Sequence, residues 1–326
     1  MIDNKISSSI FDDANDTESQ RRAKNKLLRE LGDVIVRSLV DPAVVEIMLN
    51  PDGLLWEDRH GVGMTQIGSM DAIRSLNLIG TIASELGLQA TKQTPIVECE
   101  LPLDGSRFEG LIPPLVERPI FAIRKKALLV YTLNNYLSDG ILSEAHYEIL
   151  QEHIEKKHNI LVIGGTGTGK TTLVNAILQR ISDIDPMTRI AMIEDTRELQ
   201  CTAINKFPLR TSDAVDMTML LRACMRLRPD RIVVGEVRDK SALALLKAWN
   251  TGHSGGVATV HANDAEAGLI RLEQLIEESG AIASKVLIAE AVNCVISIKR
   301  VKTGRIIDQI STVVGVNQNG YIFQTI

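Results

Sequence analysis

The segment 164–172, with the sequence GGTGTGKTT, contains the residues with the clearest chemical potential in this chain. Its spacing, G-x-x-x-x-G-K-[ST], is that of a phosphate-binding loop, in which glycines let backbone N–H groups turn inward around phosphate oxygens. Lys170 is predicted to neutralise the β- and γ-phosphates of a nucleoside triphosphate, and the Thr171 hydroxyl to ligate Mg²⁺. A glycine-rich turn that binds nothing would not explain the Lys-Thr pair in register. The predicted nucleotide-binding residues are Gly164, Gly165, Thr166, Gly167, Thr168, Gly169, Lys170, Thr171 and Thr172.

Carboxylates follow two further apolar runs. One run ends in Glu194 and Asp195, and the other ends in Gly235 and Glu236. In the usual P-loop enzyme the second motif ends in an aspartate that holds the Mg²⁺ shell, whereas Gly235 stands at that position here. Glu236 is predicted to orient and deprotonate the attacking water because it projects from a rigid strand beside the loop. Glu194 and Asp195 are the candidates that complete water and metal positioning, and the alternative for each is a charged side chain facing solvent.

Three more side chains are candidate site residues. His261 ends the apolar run 256–260 and is predicted to sense the γ-phosphate, although a lone histidine is more often hydrogen-bonded structure. Arg107 and Arg124 lie at or near predicted strand ends, where a long cationic side chain can reach a phosphate. A solvated edge arginine is the commoner fate of any single one. Neither nearby cysteines nor a second suitably spaced histidine accompanies His261, so zinc is not expected.

The elements that must position these residues form two groups along the chain. The first group is mixed α+β, with helices predicted over 20–40 and 73–86 and with strands predicted at 44–49, 54–58, 62–67, 96–101, 107–111 and 120–124. In the second group, short apolar strands alternate with helical stretches and deliver polar groups at their C-terminal ends. Such an alternation describes a parallel sheet with its site along one edge, followed from residue 294 by an antiparallel meander.

Four segments are predicted along the chain. Residues 1–20 are rich in Ser, Asp and Asn and predict a disordered tail. Residues 21–131 form the α+β N-terminal domain, and the turn-rich passage 132–142 is predicted to be the linker. Residues 143–326 form the α/β nucleotide-binding domain.

Composition limits the class of protein. The chain has 326 residues, 44% of them hydrophobic, which favours two domains with substantial cores. The net charge of −5 and the aromatic content of 3% differ from those of a dedicated nucleic-acid binder, so no direct sequence-specific nucleic-acid binding is expected. Four widely spaced cysteines fit a reducing compartment. No apolar run approaches the roughly 18 residues of a membrane span, so any membrane association is predicted to be peripheral.

Four sequence boxes together resemble those of the secretion traffic ATPase superfamily. They are GGTGTGKTT at 164–172, IEDTREL at 193–199, LRPDRIVVGEVRD at 227–239 and GVATVHAND at 256–264, in the order Walker A, acidic box, Walker B with Gly-Glu, and histidine box. The α+β unit also looks like that family's N-terminal domain, so the resemblance extends from about residue 20 onward. The absence of a tetracysteine zinc module argues against the type II secretion branch and favours the type IV branch.

The resemblance implies a RecA-like P-loop NTPase C-terminal domain with a smaller α+β N-terminal domain, and with ATP and Mg²⁺ as its ligands. It implies a homohexameric, ATP-hydrolysing motor of a type IV secretion or conjugal transfer system, which drives pilus biogenesis or substrate transfer. Arg107 and Arg124 match arginines that approach the phosphates in relatives. Members are cytoplasmic and lie at the inner face of the bacterial inner membrane through partner proteins of the secretion or conjugation machinery.

Other functional classes share parts of this pattern. A RecA-like, nucleic-acid-dependent motor ATPase would have the same core and catalytic glutamate, together with a basic or aromatic channel. A small-molecule kinase would need an acceptor pocket and a phosphotransfer base. An ATP switch that only binds is disfavoured by Glu236.

Overall fold

The computed structural model describes Phe11 and residues 16–59, 61–126, 131–212, 214–301 and 304–325. The chain divides into two compact units, Met1–Leu128 and Leu129–Ile326. Most of the predicted disordered tail, 1–20, lies outside the described residues. Its described end is ordered, because Thr17 forms a capping box with Gln20 and the first long helix begins at Glu18.

The first unit is an antiparallel sheet with two long helices. Its elements are α1 (Glu18–Val40), β1 (Val44–Leu49), β2 (Leu54–Arg59), β3 (Gly63–Ser69), α2 (Ala72–Glu85), β4 (Ile96–Glu100), β5 (Arg107–Leu111) and β6 (Ile120–Arg124). The strand order is β3-β2-β1-β6-β5-β4. Leu31 of α1 and Ile79 of α2 share one core with Phe108 and Ile123 of the sheet, so both helices cover the same face. All six strands and both helices predicted for this part of the chain are confirmed.

The second unit is built on a mixed sheet with parallel strands at its centre. Its elements are α3 (Leu133–Ser138), α4 (Glu144–Glu155), β7 (Ile160–Ile163), α5 (Lys170–Ile184), β8 (Ile190–Glu194), β9 (Lys206–Arg210), α6 (Met217–Cys224), β10 (Arg231–Val234), α7 (Ser241–Asn250), β11 (Val257–Val260), α8 (Ala265–Glu277), α9 (Lys285–Ala291), β12 (Cys294–Val301), β13 (Gly304–Asn317) and β14 (Gly320–Thr325). The strand order is β14-β13-β12-β7-β11-β10-β8-β9, and the segment from β12 to β9 is parallel throughout.

Helices cover both faces of this sheet. One core contains residues of α3, α4 and α5, and the other contains residues of α6, α7, α8 and α9. Strands β7, β10 and β11 are buried at every position, as expected for parallel strands that are covered on both sides. The polar segments that follow β7, β8, β10 and β11 therefore meet at one edge of the sheet, as predicted.

Two features of the second unit differ from the prediction. The passage 132–142 contains helix α3, and Leu133, Tyr136 and Leu142 are buried in the core of the second unit. This passage is therefore part of that unit rather than a free linker, since its apolar side chains pack there. Strand β9 was not predicted from the sequence, because its residues alternate between exposed and half-buried positions at the edge of the sheet and include Pro208.

Candidate functional site

The phosphate-binding loop joins β7 to α5 with the geometry that its glycines require. Gly169, the residue before α5, has a φ of 97°, a left-handed conformation that favours glycine, and no side chain caps the helix. A Cβ on Gly164 would lie 2.4 Å from the carbonyl oxygen of Ile298, a contact that the backbone cannot accommodate. The uncapped N–H groups at the start of α5 are available for an anion, and the positive end of the helix dipole favours one.

Lys170 is buried beside this loop. Its Nζ donates to the carbonyl oxygens of Gly164, at 3.0 Å, and Gly165, at 2.9 Å, and Nδ1 of His261 lies 3.3 Å from it. The lysine side chain is thus held across the loop by backbone acceptors, at the place where the motif requires a cation for the phosphates.

Glu236 and His261 form the hydrogen-bonded pair next to Lys170. The Nε2 atom of His261 lies 2.9 Å from Oε1 of Glu236. Burial, and after it the charge of Lys170, lower the pKa of His261, although Glu236 acts in the opposite direction. A neutral imidazole that donates its Nε2 proton satisfies this contact, because the carboxylate can only accept. His261 therefore orients the predicted general base and links it to the lysine of the loop.

Asp195, the predicted metal ligand, lies in an ion pair with Arg238. Its Oδ2 is 2.9 Å from a guanidinium nitrogen of Arg238, and its Oδ1 accepts a hydrogen bond from the hydroxyl of Thr211 at 2.9 Å. Arg238 also approaches Glu236, with 3.5 Å between Nε and Oε2. Arg238 thus connects the two carboxylates, a role that was not predicted from the sequence.

The buried side chain of Glu194 lies next to Gly235. The buried carboxylate of Glu194 accepts the backbone N–H groups of Glu198, at 2.9 Å, and Leu199, at 2.8 Å. A Cβ on Gly235 would lie only 3.1 Å from Cγ of Glu194. A side chain at position 235 would therefore crowd Glu194, which favours glycine where the usual Walker B motif has its aspartate. Glu194 acts on the loop that follows β8, where it positions Glu198.

Glu198 is the carboxylate that contacts Thr171. The Thr171 hydroxyl donates to Oε2 of Glu198 at 3.2 Å, and Asn175 of α5 donates to the backbone oxygen of Glu198 at 3.3 Å. Glu198 lies inside the acidic box, but its role was not predicted because it lies four residues beyond the end of β8 in irregular backbone. Its membership of that box is the signal that could have identified it.

Arg107 and Arg124 lie in the first unit, on one face of its sheet. They are directly opposite each other on β5 and β6, and Arg107 forms a 2.8 Å ion pair with Glu98. Arg124 is exposed at the end of its strand. Their predicted contact with phosphate stays a prediction.

The comparison with protein families decides what kind of protein carries this site. The profile of the family described as "Type II/IV secretion system protein" matches residues 70–309. The chain belongs to this family. The "Conjugal transfer protein TrbB" of Rhizobium radiobacter is 46% identical over 303 residues, covering 93% of this chain and 94% of the relative. The "Probable conjugal transfer protein TrbB" of Sinorhizobium fredii is 48% identical over 287 residues, with 88% of each chain covered.

Two solved structures have the same fold as this chain. The Legionella pneumophila ATPase DotB superposes with a TM-score of 0.59 at 19% identity, covering 81% of this chain and 75% of that chain. The pilus retraction motor PilT with bound ADP also has a TM-score of 0.59, at 18% identity, covering 89% and 80%. At these identities the likeness establishes the fold alone, and it confirms the predicted RecA-like architecture.

The family match and the TrbB relatives confirm two further predictions. The resemblance to its type IV and conjugal transfer branch is confirmed by the TrbB relatives. Together with the complete phosphate-binding loop, family membership makes the chain a nucleotide-binding ATPase, as predicted. Among the described residues, none of the helices is both long enough and apolar enough to cross a bilayer.

Proposed function

We propose that this chain is the ATP-hydrolysing motor of a conjugal transfer system of the type IV secretion class. The observation that carries the proposal is the contact of 2.9 Å between Glu236 and His261, directly beside Lys170 of the phosphate-binding loop. A general base adjacent to an anion-binding nest is what the hydrolysis of a terminal phosphate requires. The chain also belongs to a secretion family whose TrbB members are named for conjugal transfer.

The residues of the site divide the reaction among them. The loop N–H groups and Lys170 bind the phosphates. To do so, the lysine exchanges its hydrogen bonds to backbone carbonyl oxygens for hydrogen bonds to phosphate oxygens. Glu236, oriented by His261 and Arg238, accepts a proton from the attacking water. The aligned base and the fixed donors lower the barrier because little has to reorganise during the reaction.

The Thr171 hydroxyl and the Glu198 carboxylate fit a Mg²⁺ ion. Both present hard oxygen ligands, they already contact each other at 3.2 Å, and both lie at the phosphate-binding loop. Mg²⁺ would neutralise phosphate charge there. In this proposal Glu198 takes the metal role that the sequence analysis assigned to Asp195, because Asp195 is engaged by Arg238 and Thr211.

Replacement of Glu198 by glutamine is expected to raise the Mg²⁺ concentration needed for half-maximal hydrolysis by about 10- to 100-fold, in the range found when metal-site partners are removed. The amide keeps the size of the side chain but removes its negative charge. Phosphate release titrated with Mg²⁺ at fixed ATP measures the effect. Glu155→Gln, an exposed change on α4, is the control. An unchanged Mg²⁺ requirement in Glu198→Gln would contradict the metal role.

We further propose how this chain assembles and where it acts. The chain assembles as a homohexamer, acts at the inner face of the bacterial inner membrane through other transfer proteins, and converts hydrolysis into movement of the α+β domain against the ATPase domain. Arg107 and Arg124 contribute to phosphate binding in that assembly. Membership of the secretion family supports the role in a transfer system, and the position of the two arginines opposite each other on one face of the sheet supports a shared role in phosphate binding.

The test of the proposed function combines solution mass with turnover. We expect a hexamer in the presence of ATP and Mg²⁺, and phosphate release that single-stranded DNA does not stimulate. A monomer under all conditions would contradict the motor. Turnover that depends on single-stranded DNA would favour the alternative, a RecA-like nucleic-acid motor, and a phosphorylated small-molecule acceptor would indicate a kinase.

A further inference from the structure

Arg305, on β13, is a half-buried arginine that packs against the phosphate-binding loop and belongs to none of the four sequence boxes. A Cβ on Gly169 would lie 3.2 Å from Cδ of Arg305, 3.3 Å from its Nε and 3.7 Å from its Cζ. The guanidinium therefore lies directly over the glycine that precedes α5. The hairpin that β13 forms with β12 also places the Ile298 carbonyl oxygen against Gly164, so it borders the loop at both of its ends.

Across the residues that the structure describes, no carboxylate pairs with the guanidinium of Arg305. Within the described part of the chain it forms neither a hydrogen bond nor an ion pair, whereas Arg107, Arg238 and Arg271 each have a carboxylate partner. Its directly opposite neighbour on β12 is another arginine, Arg300. Like charges that face each other across two strands are destabilising.

The position of Arg305 is also unfavourable with respect to α5. A cation at a helix N-terminus opposes the positive end of the helix dipole, and Lys170 adds a second positive charge to the same loop. A bound anion would reverse both effects, because it would accept charge-assisted hydrogen bonds from the guanidinium and from the loop N–H groups. The arrangement is the one expected of a group that pairs with a ligand rather than with the protein.

The sheet order indicates which part of a nucleotide Arg305 would meet. Strand β7, which leads into the loop, lies between β11 and β12. His261 follows β11 and Glu236 follows the next strand, β10, so hydrolysis takes place on that side of the loop. Arg305 lies on the opposite side, near the buried Tyr136, whose raised pKa, caused by burial, is partly offset by the arginine's charge.

We propose that Arg305 is a nucleotide-binding residue that contacts the α-phosphate side of the bound nucleotide, away from the γ-phosphate. The inference rests on the proposed ATPase site and adds a recognition element to it. A contact on the α-phosphate side is present equally with ADP and with ATP. Its loss therefore weakens the binding of both and raises KM, while turnover at saturating ATP is retained.

The test measures the dissociation constants of ADP and of a non-hydrolysable ATP analogue by calorimetry at fixed ionic strength. Arg305→Ala is expected to weaken both ligands by the same factor, about 10- to 100-fold, the size of charge-assisted hydrogen bonds. Arg305→Lys keeps the charge without the planar fork and is expected to be intermediate. Arg300→Ala removes an identical charge from the facing strand position, and it should leave both dissociation constants nearly unchanged.

Three results would overturn the inference. The first is an ADP affinity of Arg305→Ala equal to that of the wild type, and the second is a larger loss of affinity for the ATP analogue than for ADP. The third is an equal loss of affinity in Arg300→Ala, which would show that the effect comes from the overall positive charge of the hairpin and not from a contact. An unchanged melting temperature of the nucleotide-free variants excludes misfolding as the cause. A wild-type protein that binds neither ligand would instead contradict the proposed function itself.

Discussion

Glu236→Gln is expected to reduce ATP hydrolysis by about 10²- to 10⁴-fold, the usual contribution of a general base, while ATP binding is retained. The amide has nearly the same shape as the carboxylate but cannot take a proton from water. Among the described residues, the polar contacts of Glu236 are with His261 and Arg238 and not with the loop backbone, so the phosphate nest stays intact. The rate of phosphate release at saturating ATP measures the chemistry, and the dissociation constant of ATP measures binding separately.

Glu277→Gln is the matched control for this experiment. Glu277 is an exposed carboxylate on α8, outside the site, so its change removes the same charge without touching the loop. Hydrolysis in that variant should equal the wild-type rate. If Glu236→Gln also retained the wild-type rate, the assignment of the base would be wrong, and Glu198, beside Thr171, would be the next carboxylate to test.

Lys170→Ala is expected to cause the second large effect, a strong loss of both nucleotide affinity and ATP hydrolysis. Each charge-assisted hydrogen bond to phosphate is worth about 1.5–3 kcal/mol, so affinity should fall by about 10- to 100-fold for each bond lost. The alanine also leaves the carbonyl groups of Gly164 and Gly165 without the donor that now crosses the loop. Hydrolysis should fall further than affinity, because the lysine also neutralises charge that develops in the transition state.

Calorimetric titration with ATP and a phosphate-release assay measure the two losses in Lys170→Ala. Lys247→Ala, on the exposed side of α7, is the control for the loss of one lysine charge. Hydrolysis that persists in Lys170→Ala at a rate near that of Lys247→Ala would mean that the loop is not the hydrolytic site. A thermal melt of the nucleotide-free variant separates this outcome from unfolding.

The sequence alone determined most of the elements and the motif-bearing loop of this protein, but not strand β9 or helix α3. Period-two and period-3.6 patterns predicted the strands and helices of the first unit, and short, mainly apolar runs predicted β7, β8, β10 and β11 with polar residues at their ends. These features are local, because a strand that is buried on two faces and a tight glycine-rich turn each require a characteristic pattern of only a few consecutive residues. The same local signals placed Lys170, Glu236 and His261 at one sheet edge, and the structure brings these three together.

Only the tertiary structure decided which partners these residues meet. The order β12-β7-β11-β10-β8 is not the order of the chain, so the spacing of residues along the sequence does not report which side chains face each other. For this reason Asp195 pairs with Arg238, Glu198 reaches Thr171 from irregular backbone, and Arg305 packs on Gly169 although it lies 136 positions further along the chain. Side-chain contacts between distant segments depend on how strands pair and how helices pack, and one-dimensional periodicity contains no information on either.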